Sequence, residues 1–117
     1  MTTASPATEA FAQVVAELSG RPDVEATRMF GSAGLKTRGR TFVMLVKGQL
    51  VVKLPRDRVD ALVTAGTGDR FDPGHGRLMR EWISLADTVD PATSRALAAE
   101  ARTFVAAGGF TPGALNA

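Results

Sequence analysis

A chain of 117 residues with 44% hydrophobic and 22% charged residues holds enough apolar material for one ordinary core and is not composed like a disordered segment. It has no cysteine, which excludes a disulfide framework and thiolate chemistry. The formal net charge of +2 conceals a polarised distribution: residues 28–58 carry eight basic residues against Asp57 alone, a local +7, and the remainder stands at −5.

Ser5-Pro6 reads as an N-cap followed by proline at the first helical position. Phe11, Val14, Val15 and Leu18 then recur at the spacing of an amphipathic helix, which Gly20 and Pro22 end. From Arg28 to Leu54 the chain alternates between strand-like pieces and glycine-marked breaks at Gly31-Ser32-Ala33-Gly34, Arg38-Gly39-Arg40 and Lys47-Gly48-Gln49. This pattern predicts an antiparallel meander of four strands. The third strand is apolar on both parities, with Phe42, Met44 and Val46 alternating with Val43 and Leu45, so it is expected to be central. The fourth places Leu50, Val52 and Leu54 on one side.

Pro55 suits the first turn of a second helix, with Val59, Leu62 and Val63 as its narrow apolar stripe and Gly66 or Gly68 as its end. Residues 69–77 are dense in Asp, Pro and Gly and predict a loop. Leu78–Leu85 reads as a fifth strand, with Trp82 buried against a helix. Asp90-Pro91 marks another N-cap and first-turn proline. Leu97, Ala98, Ala101, Phe104 and Val105 line the last helix, and Gly108-Gly109 stops it. The expected fold is α+β, in the order α-β-β-β-β-α-β-α: a five-stranded, mostly antiparallel sheet with about three helices on one face. It forms a single domain over residues 1–117, with 108–117 as a loose tail.

No apolar run reaches the ~18–20 residues of a membrane helix, so no membrane role is expected. The first residues lack the basic and apolar regions of a secretory signal. Together with the absence of cysteine, this suits a cytoplasmic protein. The eleven arginines against three lysines, with abundant Ala, Val, Gly and Asp, suggest a GC-rich bacterial genome.

The basic block is the feature that stands above background. Arg28, Lys36, Arg38, Arg40, Lys47 and Lys53 are its candidate binding residues, and several sit at hairpin turns where long side chains reach outward. Three readings compete: a solvated face that protects a sheet edge, a docking surface for an acidic protein or for a second copy of the chain, and a phosphate-binding surface for nucleic acid. The last lacks interleaved aromatics, since Phe30 and Phe42 are expected to be buried.

The other chemical signals are weaker. Gly31-Ser32-Ala33-Gly34 joins two strands and lacks the strand-loop-helix setting of a phosphate loop. His75 is the only histidine and has no second His or Cys with which to hold a metal, so neither metal nor cofactor is expected. Ser32, Ser84 and Ser94 show no nucleophile elbow. Asp69 with Asp72, and Asp87 with Asp90, are better read as turn and cap residues than as paired catalytic acids. No reaction is visible in these patterns.

The run Arg28-Met29-Phe30-Gly31, then Gly34-Leu35, a glycine-marked turn, Phe42 and Val52-Lys53-Leu54, resembles the N-terminal domain of the TfoX/Sxy family, which shares its broad architecture with the YjbR-like fold. The later helix, the Phe71 region and Trp82 extend the likeness to about residue 106. Met29, Phe30, Gly31 and Gly34 are its structural motif: Phe30 is expected in the core, and Gly31 or Gly34 at positive φ. Lys36 stands where the family often has tyrosine. The resemblance implies a small non-enzymatic regulatory module of the competence and transcription-regulator type, acting through protein–protein contacts. A nucleic-acid-binding role for the meander 28–58 is the alternative.

Overall fold

The computed structural model describes residues 6–29, 32–71 and 79–108. Three helices and six strands follow in the order α1 (Pro6–Leu18), β1 (Val24–Met29), β2 (Ser32–Thr37), β3 (Arg40–Val46), β4 (Gln49–Lys53), α2 (Arg56–Thr64), β5 (Gly68–Phe71), β6 (Met79–Leu85) and α3 (Pro91–Ala106). The strands form one antiparallel sheet in the order β1-β2-β3-β4-β6-β5. The α+β class and the meander are as expected, and the sheet has six strands instead of five. The additional strand, β5, lies where the sequence predicts the start of a loop. Gly-Asp-Arg-Phe has weak strand propensity and acquires its pairing only from β6.

All three helices pack on one face of the sheet. Ala7, Ala10, Val14 and Leu18 of α1, Val59 and Leu62 of α2, and Leu97, Ala98, Ala101 and Val105 of α3 join Leu35, Val43, Leu50, Val52, Leu54, Ile83 and Leu85 in one core. The helical and strand spacings therefore meet across a single layer boundary, the condition for burying both apolar faces at once.

The β2–β3 and β3–β4 connections are two-residue turns. Arg38 and Gly39 have φ of 52° and 81°, and Lys47 and Gly48 have 50° and 77°. Two consecutive left-handed residues make the primed turn whose twist matches a hairpin. β3 is central, as its two apolar parities imply. Between Leu35 and Lys36 the register with β3 shifts, Leu35 facing Val43 and Lys36 facing Thr41, so Phe42 is an extra residue on β3. A bulge puts two successive side chains on one side. Phe42 and Val43 thus both enter the helix-side core, while Met44 and Val46 take the other face. Simple alternation groups Phe42 with Met44, and the extra residue separates them.

Trp82 is 9% exposed, but it packs with Met44 and Val51 on the sheet face away from the helices, flanked by Val46 and Phe71. Burial is as expected; packing against a helix is not, because Ile83 and Leu85 are the β6 residues that point to the helices. Gly34 pairs with Thr27 and Met44 in mid-strand and has no positive φ. It is needed there for closeness: a Cβ on Gly34 would lie 2.6 Å from the Val43 carbonyl oxygen. Ser5, Phe30, Gly31, Asp72, His75 and the tail beyond Gly108 lie outside the described residues.

Candidate functional site

Antiparallel connectivity distributes the six basic candidates between the two ends of the sheet. Lys36, Arg38 and Arg40 flank the β2–β3 turn, and Lys53 arrives at the same end because Val52 faces Val43. Lys47 is at the opposite end, in the β3–β4 turn. Arg28 is near that end too, facing Ala33 on the edge strand β1.

Their surroundings differ. Lys36 pairs with Glu25 at 3.6 Å across β1 and β2, in an exposed geometry that contributes little to stability. Arg40 donates to the Gly108 carbonyl at 2.9 Å. α3 has no basic residue in its last turn, so this guanidinium from β3 supplies the positive charge that a helix C-terminus favours. Arg40 therefore has a structural role. Among the described residues, the side chains of Arg38, Lys47 and Lys53 make no ion pair or hydrogen bond. Arg38 and Lys47 stand at the tips of the two primed turns, exposed. Of the Met29-Phe30-Gly31-Gly34 motif, Met29 ends β1 opposite Ser32, and Gly34 is packed against β3.

A second polar arrangement has no counterpart in the sequence reading. Arg56, Asp57 and Asp60 of α2, Arg70 of β5 and Arg80 of β6 line an open cleft of about 480 Å³. Arg70 donates to Asp60 in a half-exposed ion pair. The register of β5 on β6 shifts between Arg70, which faces Ile83, and Phe71, which faces Met79. Arg80 consequently faces no β5 residue and lines the cleft. Neither the spacing of Arg56, Arg70 and Arg80 nor their alternation signals this meeting.

Asp23, just before β1, accepts hydrogen bonds from the Thr37 hydroxyl at 2.7 Å and from an Arg102 guanidinium nitrogen at 2.7 Å. The Thr37 hydrogen bond, with the hydrogen bond and charge of Arg102 behind it, holds the Asp23 carboxyl below its usual range against the opposing effect of burial. The three residues tie β1, β2 and α3 together. They are a structural clamp, with both carboxylate partners donating.

The remaining sequence candidates are dispersed. Asp90 occupies the N-cap of α3 with extended backbone and Pro91 after it, but its side chain makes no capping hydrogen bond. Asp69 is exposed on β5 opposite Ser84, whose hydroxyl donates to Gln49 Oε1 at 3.0 Å. Ser94 is buried in α3. Among the described residues no cluster of three or more His, Asp or Glu side chains could hold a metal ion, and no helix is long and apolar enough to cross a membrane.

Residues 16–105 match the family model described as the TfoX N-terminal domain. No curated protein and no solved structure matches the chain.

Proposed function

The chain belongs to the TfoX N-terminal domain family, and we propose on that basis that it is a non-catalytic regulatory module of the cytoplasm that docks an acidic protein surface in transcriptional control. The observation that carries this reading is the placement of Arg38 and Lys47. Both are non-glycine residues in the left-handed region, where an L side chain costs roughly 1–2 kcal/mol. Both point exposed cations from turn tips that asparagine or glycine would occupy with less strain. Lys53, with no side-chain partner among the described residues, adds to the charge at the Arg38 end. Such charges accelerate encounter with a complementary surface and set its orientation.

Nucleic acid is the weaker alternative. Stacking needs exposed aromatic faces, and Phe42 and Trp82 are 0% and 9% exposed.

The test is affinity capture from the native cell with the wild-type chain and with Arg38→Glu/Lys53→Glu, beside a titration with duplex DNA. A defined acidic protein retained by the wild type and released by the reversal supports docking. Nuclease-sensitive capture, or DNA binding that persists near physiological salt and is lost in the variant, replaces it with the nucleic-acid reading. Capture indifferent to the charge reversal overturns both.

A further inference from the structure

We infer that Arg40 is a releasable latch: an acidic partner docking on the β2–β3 turn draws its guanidinium off the Gly108 carbonyl and uncaps the C-terminus of α3. The latch rests on the docking role proposed above for that turn and adds a response of the fold to it.

The turn and the helix are joined twice. Thr37 and Arg40 face each other across β2 and β3 and close the two-residue turn whose tip is Arg38-Gly39. Each of them is also tied to α3. The buried Thr37 hydroxyl donates to Asp23 Oδ2 at 2.7 Å, and Arg102 of α3 donates to the same oxygen at 2.7 Å. Arg40 Nη1 donates at 2.9 Å to the carbonyl of Gly108, just past the C-cap Ala107. The closing pair of the turn thus reaches α3 at two levels, through Arg102 within the helix and through Gly108 at its end.

An approaching acid acts on these two links differently. Arg102 is half-buried and already meets a carboxylate, so a second one offers it little. Arg40 is exposed, and its acceptor is a neutral carbonyl oxygen. A carboxylate adds the attraction of opposite charge and a bidentate geometry that the carbonyl lacks. Arg40 also flanks the tip that carries Arg38, so an acid drawn to the tip meets both. The partner gains this ion pair only when Arg40 lets go, which is the differential contact a switch requires.

The consequence falls on the end of α3. The helix has no basic residue in its last turn, and Arg40 supplies the cation at its negative end. Once Arg40 leaves, the closing hydrogen bonds, Ala107 N–H to Thr103 O at 3.1 Å and Gly108 N–H to Val105 O at 3.0 Å, hold the last turn without that charge. Helix ends open at low cost. The Asp23 clamp on Arg102 confines the opening to the residues after it.

The experiment reads amide hydrogen exchange by NMR on the whole chain, with hexaglutamate as the acidic probe at fixed ionic strength. Without peptide, Arg40→Gln should speed exchange at Ala107 and Gly108 by up to about tenfold, the loss of one charge-assisted contact, and leave Val14 in α1 unchanged. In the wild type, hexaglutamate should shift the Arg38 and Gly39 signals saturably and raise exchange at Ala107 and Gly108 toward the Arg40→Gln rates. Arg38→Glu should abolish both effects of the peptide. Saturable binding at the turn with unchanged exchange at Ala107 and Gly108 overturns the latch and leaves docking standing. No saturable binding at the turn removes the docking reading, and the latch with it. Exchange in Arg40→Gln equal to the wild type, or raised equally at Val14, overturns the latch whatever the peptide does, because Arg40 then does not hold this helix end.

Discussion

The hydroxyl of Thr37, itself wholly buried, donates to Asp23 Oδ2 at 2.7 Å and joins the end of β2 to the approach to β1. Arg102 reaches the same carboxylate oxygen from α3. The ionised carboxyl is favoured in the folded chain, so its folded pKa is depressed. A depressed carboxylate stabilises the fold above its unfolded pKa, about 3.9, and loses that contribution as pH falls through the folded value. Thermal unfolding of the wild type and of Asp23→Asn should therefore differ at pH 7, with the wild type more stable. The difference should shrink once pH drops below about 4. A gap that is constant down to acid pH contradicts the clamp's electrostatic origin.

Arg38 and Lys47 occupy left-handed backbone at the turn tips. Asparagine tolerates that region better, so Arg38→Asn and Lys47→Asn should each stabilise the chain by about 0.5–1 kcal/mol in denaturant unfolding. If the docking reading holds, the same variants should slow association with the partner. A pair of variants less stable than the wild type would mean that these side chains hold the turns together.

Gly34 has ordinary backbone and almost no room. Its added Cβ would meet Val43 O at 2.6 Å and Met44 Cγ at 3.3 Å. Gly34→Ala should destabilise by about 1–3 kcal/mol, the typical cost of overpacking. Gly20, with nothing within 4 Å of its added Cβ, is the control and should accept alanine with little change. Chemical denaturation of both variants decides it.

Trp82 is the single tryptophan, so intrinsic fluorescence reports on the sheet face away from the helices. Its emission should be that of a shielded indole and should shift red on unfolding. Trp82→Ala should cost about 3–5 kcal/mol, since it removes the largest side chain from the cluster with Met44 and Val51. A loss below about 1 kcal/mol would show that this cluster contributes little.

Local sequence determined the parts of this protein whose signals are local. Val14 and Leu18, or Leu50, Val52 and Leu54, repeat at the period of the element they build, and Gly39 and Gly48 mark turns that demand positive φ. Helices, meander strands and core faces were legible for that reason, and the Met-Phe-Gly run with its later glycines pointed to the family. Tertiary structure decided what depends on register and on distant partners. β5 exists only because β6 offers it an edge. The bulge at Leu35/Lys36 moves Phe42 to the helix side, and no periodicity encodes such an inserted residue. Arg40 finds the end of α3 68 positions away, and Asp23 finds Arg102 at a separation of 79. The sequence showed how much positive charge the meander holds. Antiparallel connectivity then divided it between two ends of the sheet, and the register shift of β5 on β6 left Arg80 facing no β5 residue, in the cleft that Arg56 and Arg70 also line, because where a long side chain ends up is set by tertiary geometry and not by its neighbours in the chain.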